Sequence, residues 1–166
     1  MAGDLDALAR EVLDHCRARG VKLATAESCT GGMIAAALTA IAGSSDVVER
    51  GFVTYSNEAK TELIGVPAPL IATHGAVSEE VAAAMASGAL AHAPVALAVS
   101  VTGIAGPGGA TPGKPVGLVW FGLARSGATT KTEHHVFPGD RAAVRHAAAK
   151  RALELLAEGA VSSPPA

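Results

Sequence analysis

The residues best suited to chemistry stand in one short turn, Glu27-Ser28-Cys29-Thr30-Gly31-Gly32. A compact apolar run, 22–26, leads into it and a run of small residues, 33–41, leads out, so it reads as a strand–turn–helix junction. Such a junction aims several backbone N–H groups at one point, which suits an anion or a developing oxyanion. Ser28 stands where a nucleophilic hydroxyl would profit from those donors. The plainer reading is that Ser28 and Thr30 cap the helix while Gly31 and Gly32 let it pack closely. Cys29 is a rival nucleophile, because a helix N-terminus lowers a thiol pKa. Successive side chains diverge, so one of Ser28 and Cys29 faces the site and the other becomes a small buried group.

A serine nucleophile needs a base. Of the histidines, His15, His92, His134, His135 and His146 fall in helical or exposed-strand contexts, and His74 beside Gly75 is the one loop candidate. None has the spacing of a metal pair, so neither metal nor cofactor is expected. The alternative base is a lysine. Lys60 falls in the first turn of a helix starting near Asn57, where the helix dipole disfavours a cation. Lowering a lysine from about 10.4 to about 7 takes roughly 4–5 kcal/mol, of which the dipole supplies about 1, leaving burial to supply the rest. Tyr55, at the end of the preceding strand, can hydrogen-bond to nucleophile or base. The alternative is a solvated Lys60 paired with Glu58 or Glu62. Thr102 ends the most apolar strand and opens the glycine-rich stretch 102–113, whose pattern is neither a Walker A loop nor GxGxxG. It can reach the same site, or the stretch is a long turn. Arg141 and Arg145, one turn apart on the last helix, can hold an anionic group or simply solvate that face.

The elements that must position these residues alternate. Helices are expected at 4–19, 33–41, 57–64, 78–92 and 140–158, and strands at 22–26, 50–55, 94–101, 116–124 and 130–137. Residues 66–69 read as a linker, with His74 in a loop. Alternation predicts an α/β fold, a three-layer α/β/α sandwich with a mixed, mainly parallel sheet whose last two strands form an antiparallel pair. Residues 1–160 read as one domain and 161–166 as a flexible tail.

The 166 residues are 49% hydrophobic, 17% charged and only 3% aromatic, which excludes general disorder and predicts a core of Ala, Val, Leu and Ile. A net charge of −2 without a basic run argues against a nucleic-acid partner. No apolar stretch reaches the ~18 residues of a membrane span. The N-terminal MAGDLDALAREVL carries acids where a signal peptide carries bases, so a cytoplasmic protein is expected. Two cysteines make no disulfide framework. The alanine-rich apolar helices suggest a homo-oligomer.

The segments TAESCTGG (25–32), IAGSSDVVERGFVTYSNEAKTELIGV (41–66), HGAVSEEVAAAMA (74–86), VSVTGIAGPGG (99–109), KPVGLVWFGLA (114–124) and FPGDR (137–141) together resemble the CinA C-terminal domain family. The resemblance covers nearly the whole chain. It implies the fold above and the activity of the family's nicotinamide-nucleotide amidohydrolases, which convert nicotinamide mononucleotide to nicotinic acid mononucleotide and ammonia without metal or cofactor. Ser28 matches the family's nucleophile and Lys60 its base. Tyr55 lies beside them, Thr102 matches a site hydroxyl, and Arg141 a substrate contact. On this reading backbone N–H groups of Thr30, Gly31 and Gly32, with the loop beginning at Gly103, hold the oxyanion. Longer members carry an N-terminal domain linked to competence, DNA damage or pyrophosphatase chemistry, and those functions are not expected here. Two other classes stay open: a catalytically silent nucleotide-binding or regulatory module, and a Cys29-dependent hydrolase.

Overall fold

The computed structural model describes residues 2–163. In chain order the elements are α1 (Ala2–Arg19), β1 (Leu23–Glu27), α2 (Met33–Thr39), a 3-10 turn (Ser44–Asp46), β2 (Val48–Val53), α3 (Asn57–Ile64), α4 (Ala68–His74), α5 (Glu79–Ala91), β3 (Leu97–Gly103), β4 (Leu118–Arg125), β5 (Lys131–Val136) and α6 (Arg141–Ser162). The five strands form one sheet in the order β2-β1-β3-β4-β5. β1 pairs in parallel with β2 and β3, and β4 pairs antiparallel with β3 and β5. The sheet is therefore mixed, with β4 alone reversed.

Strand alternation sends each strand's side chains to two different cores. On one face Leu23, Val99 and Phe121 pack with Leu13 of α1, Ile34 of α2 and Leu153 of α6. On the other, Ala26 and Ala98 pack with Ile64 of α3, Ile71 of α4 and Met85 of α5. Helices thus cover both faces, giving the three layers. The second interface is close. A Cβ on Gly122 of β4 would lie 2.5 Å from the Ala82 carbonyl of α5 and 2.6 Å from the Ser100 hydroxyl, so only glycine lets α5 seat on the sheet.

The structure departs from the sequence expectations at several element ends. The segment from Ala68 is a helix rather than a linker, and His74 closes it. Pro67 is its N-cap and Pro69 lies in its first turn, where a missing N–H costs nothing. α3 is capped by Ser56, not Asn57. β2 begins at Val48 and ends at Val53, two residues before Tyr55. α6 runs through Val161 and Ser162, where a tail is expected, while residues 164–166 lie outside the described residues.

Candidate active site

β1 is buried along its whole length. Its ladder extends one residue further, since the Ser28 N–H donates to the Val101 carbonyl at 3.0 Å. Alternation then sends Glu27 beneath the sheet toward α2 and Ser28 to the α3–α5 side. Thr102, at the end of the adjacent β3, faces the same side, where its hydroxyl donates to the Ala76 carbonyl at 2.9 Å. Two hydroxyls therefore stand at the carboxyl ends of neighbouring parallel strands. Here the chain from β1 crosses outward to β2 on one face and the chain from β2 returns to β3 on the other, the position where open α/β sheets form ligand crevices.

The turn after Ser28 is held from within. Gly31 and Gly32 have φ of +57° and +108°, left-handed values that favour glycine. The Gly31 N–H donates to the Ser28 carbonyl at 3.0 Å and that of Met33 to the Thr30 carbonyl at 3.1 Å. Glu27, 1% exposed, accepts from the Thr30 hydroxyl (2.7 Å) and the backbone N–H groups of Gly32 (3.2 Å), Ile34 (2.9 Å) and Ala35 (3.0 Å). From the opposite side, Arg145 of α6 donates to the carbonyls of Cys29 (3.0 Å) and Thr30 (3.2 Å). This corrects the expectation for the oxyanion donors, because the N–H groups of Gly31 and Gly32 are engaged inside the turn. Those of Cys29 and Thr30 have no backbone or side-chain acceptor among the described residues. The Cys29 side chain belongs to the apolar core on the α1–α2–α6 side, and burial pushes its thiol up to about 11.

Lys60 reaches Ser28 from α3, whose first turn is anchored by the Ser56 hydroxyl accepting from the Ala59 N–H at 3.0 Å. Lys60 is 1% exposed. Its Nζ lies 3.1 Å from Ser28 Oγ and donates to the carbonyls of Thr54 (2.8 Å), Tyr55 (3.3 Å) and Ser56 (3.4 Å). It makes no ion pair with Glu58 or Glu62, so the solvated alternative is not what forms. Burial lowers its pKa from 10.5 to about 8, against a smaller opposing pull from Cys29 and Glu58. That shift is on the order of 3 kcal/mol against charging the amine in place, larger than a helix dipole supplies.

A cleft of about 220 Å³ opens over these groups, lined among others by Ser28, Lys60, Thr102, Gly103, Tyr55 and Arg141. Tyr55 is 61% exposed. Its hydroxyl accepts from Arg141 Nη2 at 3.2 Å, while Arg141 Nη1 donates to the Gly106 carbonyl at 2.9 Å. Arg141 and Arg145 thus diverge, one tying the rim and the other holding the turn at Cys29 and Thr30. Beyond Ala105 and Arg141 lies a second hollow of about 530 Å³, which Arg145 also borders. His74 stands outside the cleft and faces Glu80. Among the described residues no group of three or more His, Cys, Asp or Glu could hold a metal ion, and no helix is long and apolar enough to cross a membrane. Sequence reasoning missed Glu27 and gave Arg145 a different task.

The fold and site together set a hydroxyl against a desolvated lysine at a crevice between parallel strands of a three-layer α/β sandwich. Residues 5–160 match the model of the CinA C-terminal domain, and the chain belongs to that family. The nicotinamide-nucleotide amidohydrolase PncC of Escherichia coli is 52% identical over 153 residues, covering 92% of this chain and 93% of that protein. CinA-like proteins also match: that of Akkermansia muciniphila is 48% identical over 157 residues, 95% of this chain but 38% of that protein. The chain therefore spans little more than a third of that longer relative. Among solved structures, a competence/damage-inducible protein from Agrobacterium tumefaciens superposes with a TM-score of 0.89 at 46% identity, covering 92% of this chain and 93% of that one.

Proposed function

We propose that the protein deamidates nicotinamide mononucleotide to nicotinic acid mononucleotide and ammonia, with residues 1–160 acting as one domain and no metal required. The observation that carries this reading is the buried Lys60 Nζ, 3.1 Å from Ser28 Oγ with its pKa lowered to about 8. A neutral amine has two protons and one lone pair. Donation to the carbonyls of Thr54 and Tyr55 turns that lone pair toward the Ser28 hydroxyl.

Ser28 Oγ attacks the carboxamide carbon and its proton passes to Lys60. The C–O bond forms as the carbonyl π pair moves onto oxygen. The Cys29 N–H, adjacent to the nucleophile, faces that charge, as the residue after the nucleophile does in other strand–turn–helix sites. The Lys60 ammonium returns the proton to the carboxamide nitrogen, which leaves as ammonia. Water then attacks the ester and gives a proton to Lys60, which hands it to Ser28 Oγ as the acyl C–O bond breaks and the acid leaves. Thr102 spends its proton on Ala76, so its oxygen is an acceptor for the substrate's amide N–H. Tyr55 bonds Arg141 rather than Lys60 through its hydroxyl, so it frames the substrate and is not needed to relay the proton. The cleft takes the pyridine carboxamide, and the adjoining hollow, bordered by Arg141 and Arg145, takes the ribose phosphate.

The test is ammonia release from nicotinamide mononucleotide in EDTA, wild type against Ser28→Ala. Activity that survives EDTA and is lost in the variant supports the reading. A folded wild type that binds the mononucleotide without releasing ammonia turns the assignment to a silent binding module. An active Ser28→Ala turns it to the Cys29 thiol.

A further inference from the structure

Glu27 stands immediately before the nucleophile, is 1% exposed, and spends its carboxylate entirely on the opening of α2. One oxygen accepts from the Thr30 hydroxyl and the Gly32 and Ile34 N–H groups, and the other from the Ala35 N–H. A helix opening of this kind is ordinarily the anion site of a strand–turn–helix motif. Here a side chain of the chain itself fills it.

We infer that Glu27 is a positioning residue for Ser28: its carboxylate locks the 28–32 turn against α2, so that Ser28 Oγ is held in line with Lys60 and, of the turn's own backbone donors, those of Cys29 and Thr30 are left for the reacting oxygen. This rests on the amidohydrolase reading above and adds to it a residue that never touches substrate. The argument is geometric. Glu27 and Ser28 are consecutive, so any rotation of the Glu27 backbone reaches Ser28 at once. The Ser28 N–H is fixed to β3, the Ser28 carbonyl accepts from Gly31, and Arg145 holds the carbonyls of Cys29 and Thr30 from the α6 side; what these do not fix is the turn's tilt against α2. The four bonds to Glu27 remove that freedom. A displacement of about 1 Å at a nucleophile can cost on the order of 100-fold in rate. The three carbonyls that hold Lys60 come from residues 54–56 and not from this turn, so of its contacts only the one to Ser28 changes.

The experiment compares the full chain with Glu27→Gln and Glu27→Asp. Gln keeps the length but sets an amide donor against one of the N–H groups. Asp keeps the carboxylate and falls short of α2. Leu13→Ala, in the core between α1 and α6, is the control for stability loss alone. The readouts are kcat and KM for ammonia release, the pH profile of kcat, and the rate at which a fluorophosphonate labels Ser28. The expected result is a kcat at least tenfold lower in both Glu27 variants, larger for Asp, with KM within about twofold. Ser28 labelling slows in parallel, and the profile midpoint stays at that of wild type. Leu13→Ala lowers the melting temperature by at least as much and leaves kcat within twofold. Normal kcat in folded Glu27→Gln and Glu27→Asp overturns the positioning role, as does a kcat loss that Leu13→Ala reproduces. Should Glu27→Asp fail to fold, Glu27→Gln alone decides. A wild type that neither releases ammonia nor labels at Ser28 removes the amidohydrolase reading itself, and the positioning role with it.

Discussion

The two faces of the sheet each bury one charged side chain, Glu27 on the α1–α2–α6 side and Lys60 on the α3–α5 side, and both are 1% exposed. Glu27 has four donors around it and sits at the positive end of a helix. Lys60 has carbonyls and a hydroxyl but no carboxylate, and it lies in the first turn of its own helix, where a cation is disfavoured. One site is arranged so that the side chain's charge suits its surroundings. The other is arranged so that charge is resisted, as the proposed role of Lys60 as a base near neutrality requires. Burial alone therefore does not nominate a base; Lys60 is set apart by burial without a counter-charge, 3.1 Å from the Ser28 hydroxyl.

The comparison is broken most directly at Lys60. Lys60→Met should lower kcat for ammonia release by on the order of 1,000-fold while the chain stays folded by circular dichroism. A variant with near-normal kcat removes Lys60 as base. A second expectation concerns pH. With a midpoint near 8, kcat/KM should rise about tenfold between pH 7 and pH 9. The same group is visible in stability. Its folded pKa lies below 10.5, so between about 8 and 10.5 the unfolded chain holds a proton that the folded chain does not. Stability relative to Lys60→Met should therefore rise with pH across that window, measured by urea unfolding at pH 7.5 and 10. Next in size is Arg145→Met, which frees the carbonyls of Cys29 and Thr30. About a tenfold loss in kcat is expected, with a melting temperature lower by a few degrees.

How much of this is legible in the sequence differs between the two sides. Ser28 and Lys60 can be nominated from local rules: a strand–turn–glycine junction and a lysine in a helix's first turn. That they meet at 3.1 Å depends on α3 docking beside β2 and against α5, which no local pattern reports. Glu27 was invisible for the same kind of reason. Its partners are spread from Thr30 to Ala35 and gather on it only because α2 folds back over the end of β1. The missed helix α4 has another cause. Prolines at 67 and 69 look like breaks when read as punctuation, yet they are compatible with the start of a helix, where no intrahelical N–H bond is lost. The long elements, β3 and α6 among them, were legible because their apolar runs and the Asp140 cap act locally.

The smallest expected effect lies far from both buried charges. Glu133 of β5 pairs with Arg151 of α6 at 2.7 Å and also receives His135 at 2.6 Å; the Arg151 guanidinium above all holds its carboxyl down to about 2. Its folded pKa is depressed, so the pair's stabilisation is present above about pH 4.5 and fades as pH falls toward 2. Glu133→Gln should cost about 1 kcal/mol at pH 7, since the pair is only partly shielded from water, and leave kcat unchanged. A change in kcat there would mean that the sheet's far edge reports to the cleft, and the contrast between the two buried charges would no longer be local.

The tie from Arg141 to the Tyr55 hydroxyl spans the cleft mouth in an exposed setting. Exposed side chains reorganise in picoseconds to nanoseconds, whereas enzymes commonly turn over about 10 times a second. On those scales an exposed tie can break and re-form many times within one turnover, while Ser28 and Lys60 lie buried below it. In the proposed reaction ammonia can slip out at any one of those breaks. The acylated nucleotide of that proposed reaction cannot follow, being tethered to Ser28, so the doorway has no part in the order of departure. That order is written in the covalent bond.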